Sequence, residues 1–265
     1  MSVETVTAPQ TSTLPCDRLG LNDQFTFRCG PDLDCFTHCC RDVTIVLTPY
    51  DVLRLKQALG MNSSDFLDQH TLTPSFPNQK FPLVILRMDD ETKRCPFVSA
   101  RGCGVYRDRP WSCRLYPLGT AEPKNPTPDE GAFHFVVIEN LCHGHTGGTR
   151  RSVREWLEGQ GVEEFEVMGA SFKDLTLHDF WDKDQELTPE QADMFYMACY
   201  DIDRFRRFVF ETRFLEMIEV DEARIEAMRT NDEELLEFAI QWLRFSLFRE
   251  RTMKIRRRAG VETGA

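Results

Sequence analysis

The chain lacks any apolar run able to cross a bilayer. Its longer ones, such as Leu83-Val84-Ile85-Leu86 and Phe135-Val136-Val137-Ile138, are four residues each, against the roughly 20 that a spanning helix needs. It is also short of positive charge, with 32 Lys and Arg against 43 Asp and Glu and a formal charge of −11. A non-specific nucleic-acid binder needs a basic face to neutralise phosphates, so DNA and RNA are excluded as expected partners. The opening octet, Met1 to Ala8, has an acid where a secretory signal carries basic residues, and no apolar run follows it. The expectation is a cytoplasmic protein without a membrane span. No solenoid repeat is visible. The short Cys-x2-Cys pairs common in structural zinc sites are missing.

What the sequence has is cysteine, unevenly placed. Nine of the ten (Cys16, Cys29, Cys35, Cys39, Cys40, Cys95, Cys103, Cys113, Cys142) precede residue 143, and Cys199 alone follows. In a reducing compartment such density points to metal ligation or thiol chemistry rather than disulfides. A hydrophobic fraction of 41% suffices for a packed core.

Periodicity predicts an α+β fold: a small irregular cysteine-rich metal-binding domain of short strands and helices, followed by a mostly helical C-terminal region. The spans are a flexible N-terminal tail over 1–24, the metal-binding domain over 25–148, and a helical region packed on it over 149–265. Asp42 to Leu47, Phe81 to Met88 and Phe133 to Ile138 read as strands. Thr48-Pro49-Tyr50-Asp51 reads as a helix start, with the stop at Gly60, and Ser63-Ser64-Asp65 opens a second helix. Farther on, Arg151 to Glu158 reads as a helix ending at Gly159. A longer helical segment is capped at Thr188-Pro189-Glu190 and carries Phe195, Cys199, Ile202 and Val209 at helical spacing. The last helix starts near Asn231-Asp232 and puts Leu236, Ile240, Leu243 and Leu247 on one stripe. Residues beyond Cys142 carry −8 of the −11, so the acid is concentrated on the helical half, which is the expected docking face for a protein partner. The basic run Arg249, Arg251, Lys254, Arg256, Arg257, Arg258 reads as a solvated helix end, where cations suit the dipole.

Eight cysteines form two sets, Cys29-x5-Cys35-x3-Cys39-Cys40 and Cys95-x7-Cys103-x9-Cys113-x28-Cys142. Eight thiolates can close two four-sulfur sites or anchor a larger cluster. In a helix Cys35 and Cys39 share a face, whereas the adjacent Cys39 and Cys40 diverge in helix and strand alike. The vicinal pair therefore serves two neighbouring centres, or one member is spare. Glycines beside Cys103 let amides approach sulfur. Arg109 and Arg114 either offset thiolate charge or are ordinary paired arginines. Tyr106 and Tyr116 are the other polar groups near the set. With this many thiols present, His38, His143 and His145 are read as loop residues rather than ligands, and Cys199 as core.

These elements together resemble the YkgJ-type cysteine-cluster family, described as zinc- or iron-chelating. The matching pieces are the first cysteine set, Leu47-Thr48-Pro49-Tyr50-Asp51-x2-Arg54-Leu55, Cys95-Pro96-Phe97, Gly102-Cys103-x-Val105-Tyr106, Arg109-Pro110-x2-Cys113-Arg114-x-Tyr116-Pro117 and Cys142. They span roughly residues 25 to 145 and leave the helical half without a counterpart. Some relatives are flagellin lysine methylases, in which such a domain is associated with an iron–sulfur cluster and S-adenosylmethionine. This chain has no Gly-x-Gly fingerprint after a strand, since Gly144-x2-Gly147-Gly148 follows a cysteine loop, and no residue carries that role over.

The expectation is a metal-binding protein holding an iron–sulfur cluster, or two metal centres, through Cys29, Cys35, Cys39, Cys40, Cys95, Cys103, Cys113 and Cys142, with a redox role or a part in protein modification. Irregular spacing, Cys-Pro and glycine-flanked cysteine favour iron–sulfur over zinc. The alternative is a structural zinc-binding interaction module without catalysis. A thiol oxidoreductase using Cys39-Cys40 lacks the expected motif. The sequence singles out no reactive group or substrate pocket, so enzyme and binding module both stay open.

Overall fold

The computed structural model describes residues 17–125, 127, 131–183 and 186–256. Cys16, Arg257 and Arg258 lie outside the described residues. The architecture is α+β, with short strands and helices around the cysteines and helices thereafter.

Strand β1 (Gln24–Phe27) pairs antiparallel with β9 (Thr149–Ser152), Gln24 opposite Ser152 and Phe27 opposite Thr149. This ladder spans the expected boundary at residue 148. Leu19 exchanges backbone hydrogen bonds with His134 at 2.7 and 2.9 Å, so pairing begins inside the span expected as a tail. A three-stranded antiparallel sheet places β4 (Val84–Leu86) between β2 (Val46–Leu47) and β3 (Thr71–Leu72). The predicted strand from Asp42 shrinks to its last two residues. Asp42 has φ +52, incompatible with strand geometry, and its amide is taken by Lys93 O at 2.8 Å. Two hairpins complete the irregular half: β5 (Val98–Ser99) with β6 (Gly102–Cys103), and β7 (Leu118–Ala121) with β8 (Phe133–Val136).

Helix α1 (Pro49–Leu59) starts and stops as its sequence signals. Thr48 Oγ1 accepts the Asp51 amide at 3.1 Å, and Asp51 returns its carboxylate to the Thr48 amide at 2.8 Å, a capping box ahead of the Gly60 stop. Helix α2 (Ser63–His70) follows, capped by Asn62. Short helix α3 (Trp111–Leu115) carries Cys113. The helix expected from Arg151 to Glu158 is α4 (Val153–Gln160). Ser152 and Glu155 build its capping box, and Arg151 remains in β9. It ends at Gly161 rather than Gly159, because the left-handed turn falls at Gly161 with φ +63. Helix α5 (Val162–Thr176), which periodicity did not single out, follows at once.

The segment led by Thr188 is two helices rather than one. Helix α6 (Pro189–Cys199) ends at Tyr200, and α7 (Ile202–Glu211) restarts with the Asp201 carboxylate capping the Arg204 amide. Helices α8 (Phe214–Met217), α9 (Glu222–Thr230) and α10 (Asp232–Phe248) complete the helical region. The basic run does not extend the last helix. Arg249 turns left-handed at φ +58, and the chain doubles back so that β11 (Lys254–Ile255) pairs with β10 (Ile218–Glu219). No described helix is long and apolar enough to cross a membrane.

The larger core joins Leu47, Leu53, Leu55, Phe66 and Val84 to Phe165, Phe195, Phe205, Phe238 and Leu243, all with 4% exposure or less. Burying each large side chain stabilises by roughly 1.5–3 kcal/mol. A smaller core unites Phe25, Phe27, Leu115, Leu118, Val153, Trp156 and Val162. Polar ties reinforce the junction. Buried Lys56 pairs with Asp203 at 3.1 Å and Asp232 at 2.9 Å, and Ser63 Oγ donates to Asp201 at 2.5 Å. Tyr50 Oη donates toward Glu164 at 2.8 Å and lies 3.2 Å from Glu233. Part of the acid on the helical half is therefore spent inside the molecule, against α1 and α2.

Candidate metal centre

Three backbone devices bring the cysteines together. The first joins Cys29 and Cys35 to Cys142. The Arg28 amide donates to Gly144 O at 3.0 Å, and the His143 amide donates to Cys35 Sγ at 3.3 Å. Gly144 permits this approach, since a Cβ there would fall 2.4 Å from Arg28 O and 2.6 Å from the Phe27 ring. The second fixes Cys40 to Cys95: the Cys95 amide donates to Cys40 O at 2.8 Å, and Arg41 bridges Arg94 one residue on. The third is the β5–β6 hairpin, where Val98 stands opposite Cys103 and the Gly104 amide donates to Phe97 O at 2.8 Å. Between the first and second devices the chain turns at Thr37, φ +69, into one 3₁₀ turn over His38–Cys40. Cys35 and Cys39 therefore do not sit on one α-helical face.

Cys113 reaches the second group from α3, whose first amide, Trp111 N, donates to the buried carboxylate of Asp51 at 2.8 Å. Arg114 holds the preceding loop. Its guanidinium donates to Arg109 O at 3.1 Å, to Gln160 O at 2.9 Å and to Arg107 O, and lies 4.0 Å above the Phe165 ring. Arg114 is thus a loop clamp. Arg109 is also buried, donates to Tyr106 O and Gln160, and stacks on the exposed Tyr106 ring; its charge favours the Cys103 thiolate. Tyr116 Oη lies 3.2 Å from Glu139 and bonds Cys142.

The thiols oppose one another's ionisation in two overlapping sets. Burial raises the Cys29 pKa, and Cys39, Cys35 and Cys142 raise it further. Burial lifts Cys113 to about 12, aided by Cys95, Asp51, Cys103 and Cys39. Cys95 is raised by burial and by Cys103 and Cys39, Cys103 by burial and by Cys39. The Cys40 thiol bonds Cys39, which lowers Cys39 and drives Cys40 up, and Cys95 and Cys113 add to the rise in Cys40. Cys39 adds to the rise in Cys29 as well as in Cys40, Cys95, Cys103 and Cys113. The His143 amide donates to Cys35 Sγ, and amide N–H groups favour the thiolate forms of two others: Phe97 and Val98 at Cys95, Val105 at Cys103. Crowded thiols that repel as anions yet receive amide donors fit a cation, which replaces that repulsion with attraction and deprotonates the ligands. The donor set fits zinc or iron.

Cys199 is fully buried in the larger core, away from the groups. Two residues beside the first group stand outside the ligand set expected from the sequence, which reads His143 as a loop residue and does not single out Asp34. One ligand atom from each of Asp34, Cys35 and His143 lies within 4.8 Å of the others, and His143 Nδ1 is 2.6 Å from Asp34 Oδ1. The Cys142-His143 adjacency was the available signal for His143. For Asp34 there was only its place before Cys35.

The structure thus defines an α+β region whose cysteine-bearing segments are tied together by backbone contacts, and among the described residues the set of three metal-ligating side chains whose ligand atoms lie within 4.8 Å of one another is Asp34, Cys35 and His143. Residues 28–142 match the CxxCxxCC family model, described as "Putative zinc- or iron-chelating domain", and over that span the chain carries a domain of this family. No curated protein and no solved structure matches the chain.

Proposed function

We propose that the eight cysteines hold metal as two adjacent groups, Cys29, Cys35, Cys39 and Cys142 in one and Cys40, Cys95, Cys103 and Cys113 in the other, with Cys39-Cys40 at the junction. What supports this reading is the backbone contacts, which tie the Cys29 to Cys35 segment to the Cys142-His143 loop and Cys40 to Cys95, while Cys39 raises Cys29 on one side and Cys40, Cys95, Cys103 and Cys113 on the other, as a residue at the junction would. Iron is the preferred metal, bound as iron–sulfur, and electron transfer the preferred role. Amide donors at Cys35, Cys95 and Cys103 support it, because hydrogen bonds to sulfur tune cluster potentials. A structural zinc centre without catalysis is the second reading. What favours it is the Asp51 bond that fixes the Cys113 helix to the core, coupling that group to folding.

The test is elemental analysis with a visible absorption spectrum on full-length protein purified without oxygen. Iron with acid-labile sulfide and broad visible absorption is the expected result. Stoichiometric zinc without colour selects the second reading. Neither metal, with the thiols free, overturns both.

A further inference from the structure

The two cysteine groups differ in what surrounds them. Around the second, the groups that act on the sulfurs are other sulfurs, backbone amides, Asp51 and the Arg109 guanidinium. Asp51 is committed to the Thr48 and Trp111 amides. The first group has an imidazole and a carboxylate beside its sulfur. Asp34, Cys35 and His143 each present one ligand atom within 4.8 Å of the other two, the tightest convergence of metal-ligating side chains among the described residues.

We propose that the first group is a mixed-donor centre, in which Asp34 and His143 join Cys35 in holding a divalent transition metal while a neighbouring thiol completes the coordination. This rests on the reading that the cysteines hold metal, and deepens it by making the two centres chemically unlike.

Three observations carry the inference. The His143 imidazole is not a chance neighbour of Cys35, because its own backbone amide is bonded to that sulfur at 3.3 Å. The loop bearing it is pinned against Arg28 by a glycine whose replacement would clash. Both added donors lie on the open side, with Asp34 76% and His143 51% exposed, so water can reach the metal. A sulfur, nitrogen and oxygen set matches borderline divalent ions such as zinc, iron(II) or cobalt(II), whereas four thiolates suit a closed centre.

Cobalt(II) titration of the chelator-stripped full chain under anaerobic conditions tests this, read by visible absorption and by hyperfine-shifted imidazole proton resonances. Wild type is expected to take one cobalt per group, the two differing in sulfur-to-metal charge-transfer intensity, with one set of shifted imidazole resonances. His143→Ala should lose those resonances and weaken one equivalent by about 10- to 100-fold, leaving the other unchanged. Asp34→Asn should weaken the same equivalent. Cys113→Ser should remove the other one and spare the imidazole signal, which also shows that the first group is intact. Shifted resonances absent from wild type, or both equivalents unchanged in His143→Ala, overturn the mixed centre and leave the eight-cysteine reading standing. Wild type that takes up no cobalt overturns both.

Discussion

The Asp51 carboxylate accepts the Trp111 amide at 2.8 Å, joining the first turn of α1 to the first turn of the helix that carries Cys113. The same side chain closes the α1 capping box through its other oxygen. One fully buried residue therefore sets the start of a core helix and the placement of a cysteine. Helix α1 is in turn fastened to the helical region through Lys56 and Tyr50. This gives a physical route from helical packing to the geometry of the second group.

Asp51→Asn is the direct probe of that route. An amide keeps one oxygen, so either Thr48 N or Trp111 N must face an NH2 group. A buried donor left unpaired costs about 1–3 kcal/mol. The expected outcome is a destabilisation of that size by chemical denaturation, with weakened metal retention at the second group. Unchanged stability and metal content would show that the bond positions nothing.

The same carboxyl makes stability depend on pH. Burial raises its pKa from 3.8 to about 6, partly offset by the Thr48 and Trp111 amides and by Arg114. Below pH 3.8 the carboxyl is protonated folded and unfolded, and this contribution is fully present. As pH rises toward 6 the unfolded chain releases its proton first, and the contribution is lost, by up to about 3 kcal/mol. Denaturation of wild type and Asp51→Asn across this window should therefore show the gap between them narrowing as pH rises. A constant gap would contradict the burial argument.

The reach of the sequence varied with how local each signal was. Caps at Thr48, Thr188 and Asn231 were legible because each signal is a side chain bonding an amide within its own turn. The break at Tyr200-Asp201 was not, since the apolar spacing runs on through it; what ends α6 is the tertiary demand on Asp201, which takes the Ser63 and Ser64 hydroxyls from α2. The two cysteine sets were legible as spacing, but the way the chain brings their segments together was not. It depends on contacts such as Cys40 O with Cys95 N, 55 residues apart in sequence. Arg114 was readable as a charge near thiols, whereas its place above Phe165 required α5, which had no distinctive sequence signal.

Arg114→Lys tests whether that arginine acts through geometry or charge. A lysine keeps the charge but cannot span three carbonyls and a ring face at once. The expected loss is about 2–3 kcal/mol from the forfeited hydrogen bonds, seen as a lower melting temperature, with the 107–110 segment more open to proteolysis. Wild-type behaviour in the lysine variant would mean that charge alone matters.

Cys199→Ala separates core thiol from ligand thiol. Its side chain is fully buried among apolar residues, so removing the sulfur leaves a small void and costs roughly 1 kcal/mol. Metal content should be unchanged, in contrast to Cys35→Ser and Cys113→Ser, each of which should lower it. Metal loss in Cys199→Ala without unfolding would move Cys199 into the ligand set.

Gly144→Ala addresses the contact on which the first group depends. The added methyl would meet Arg28 O and the Phe27 ring at 2.4 and 2.6 Å, and the first of these is backbone, which cannot swing aside. Relief requires the Cys142-His143 loop to lift from the Cys29 to Cys35 segment, breaking the Arg28–Gly144 bond and withdrawing the His143 amide from Cys35 Sγ. The second group hangs on Cys40–Cys95 and on Asp51, neither of which touches this loop. The expected outcome is selective: metal bound at the first group is lost or weakened while the second group keeps its own. Loss at both groups with the fold intact would show that Cys39-Cys40 couples them into one cluster, and retention at both would show that the loop does not deliver a ligand.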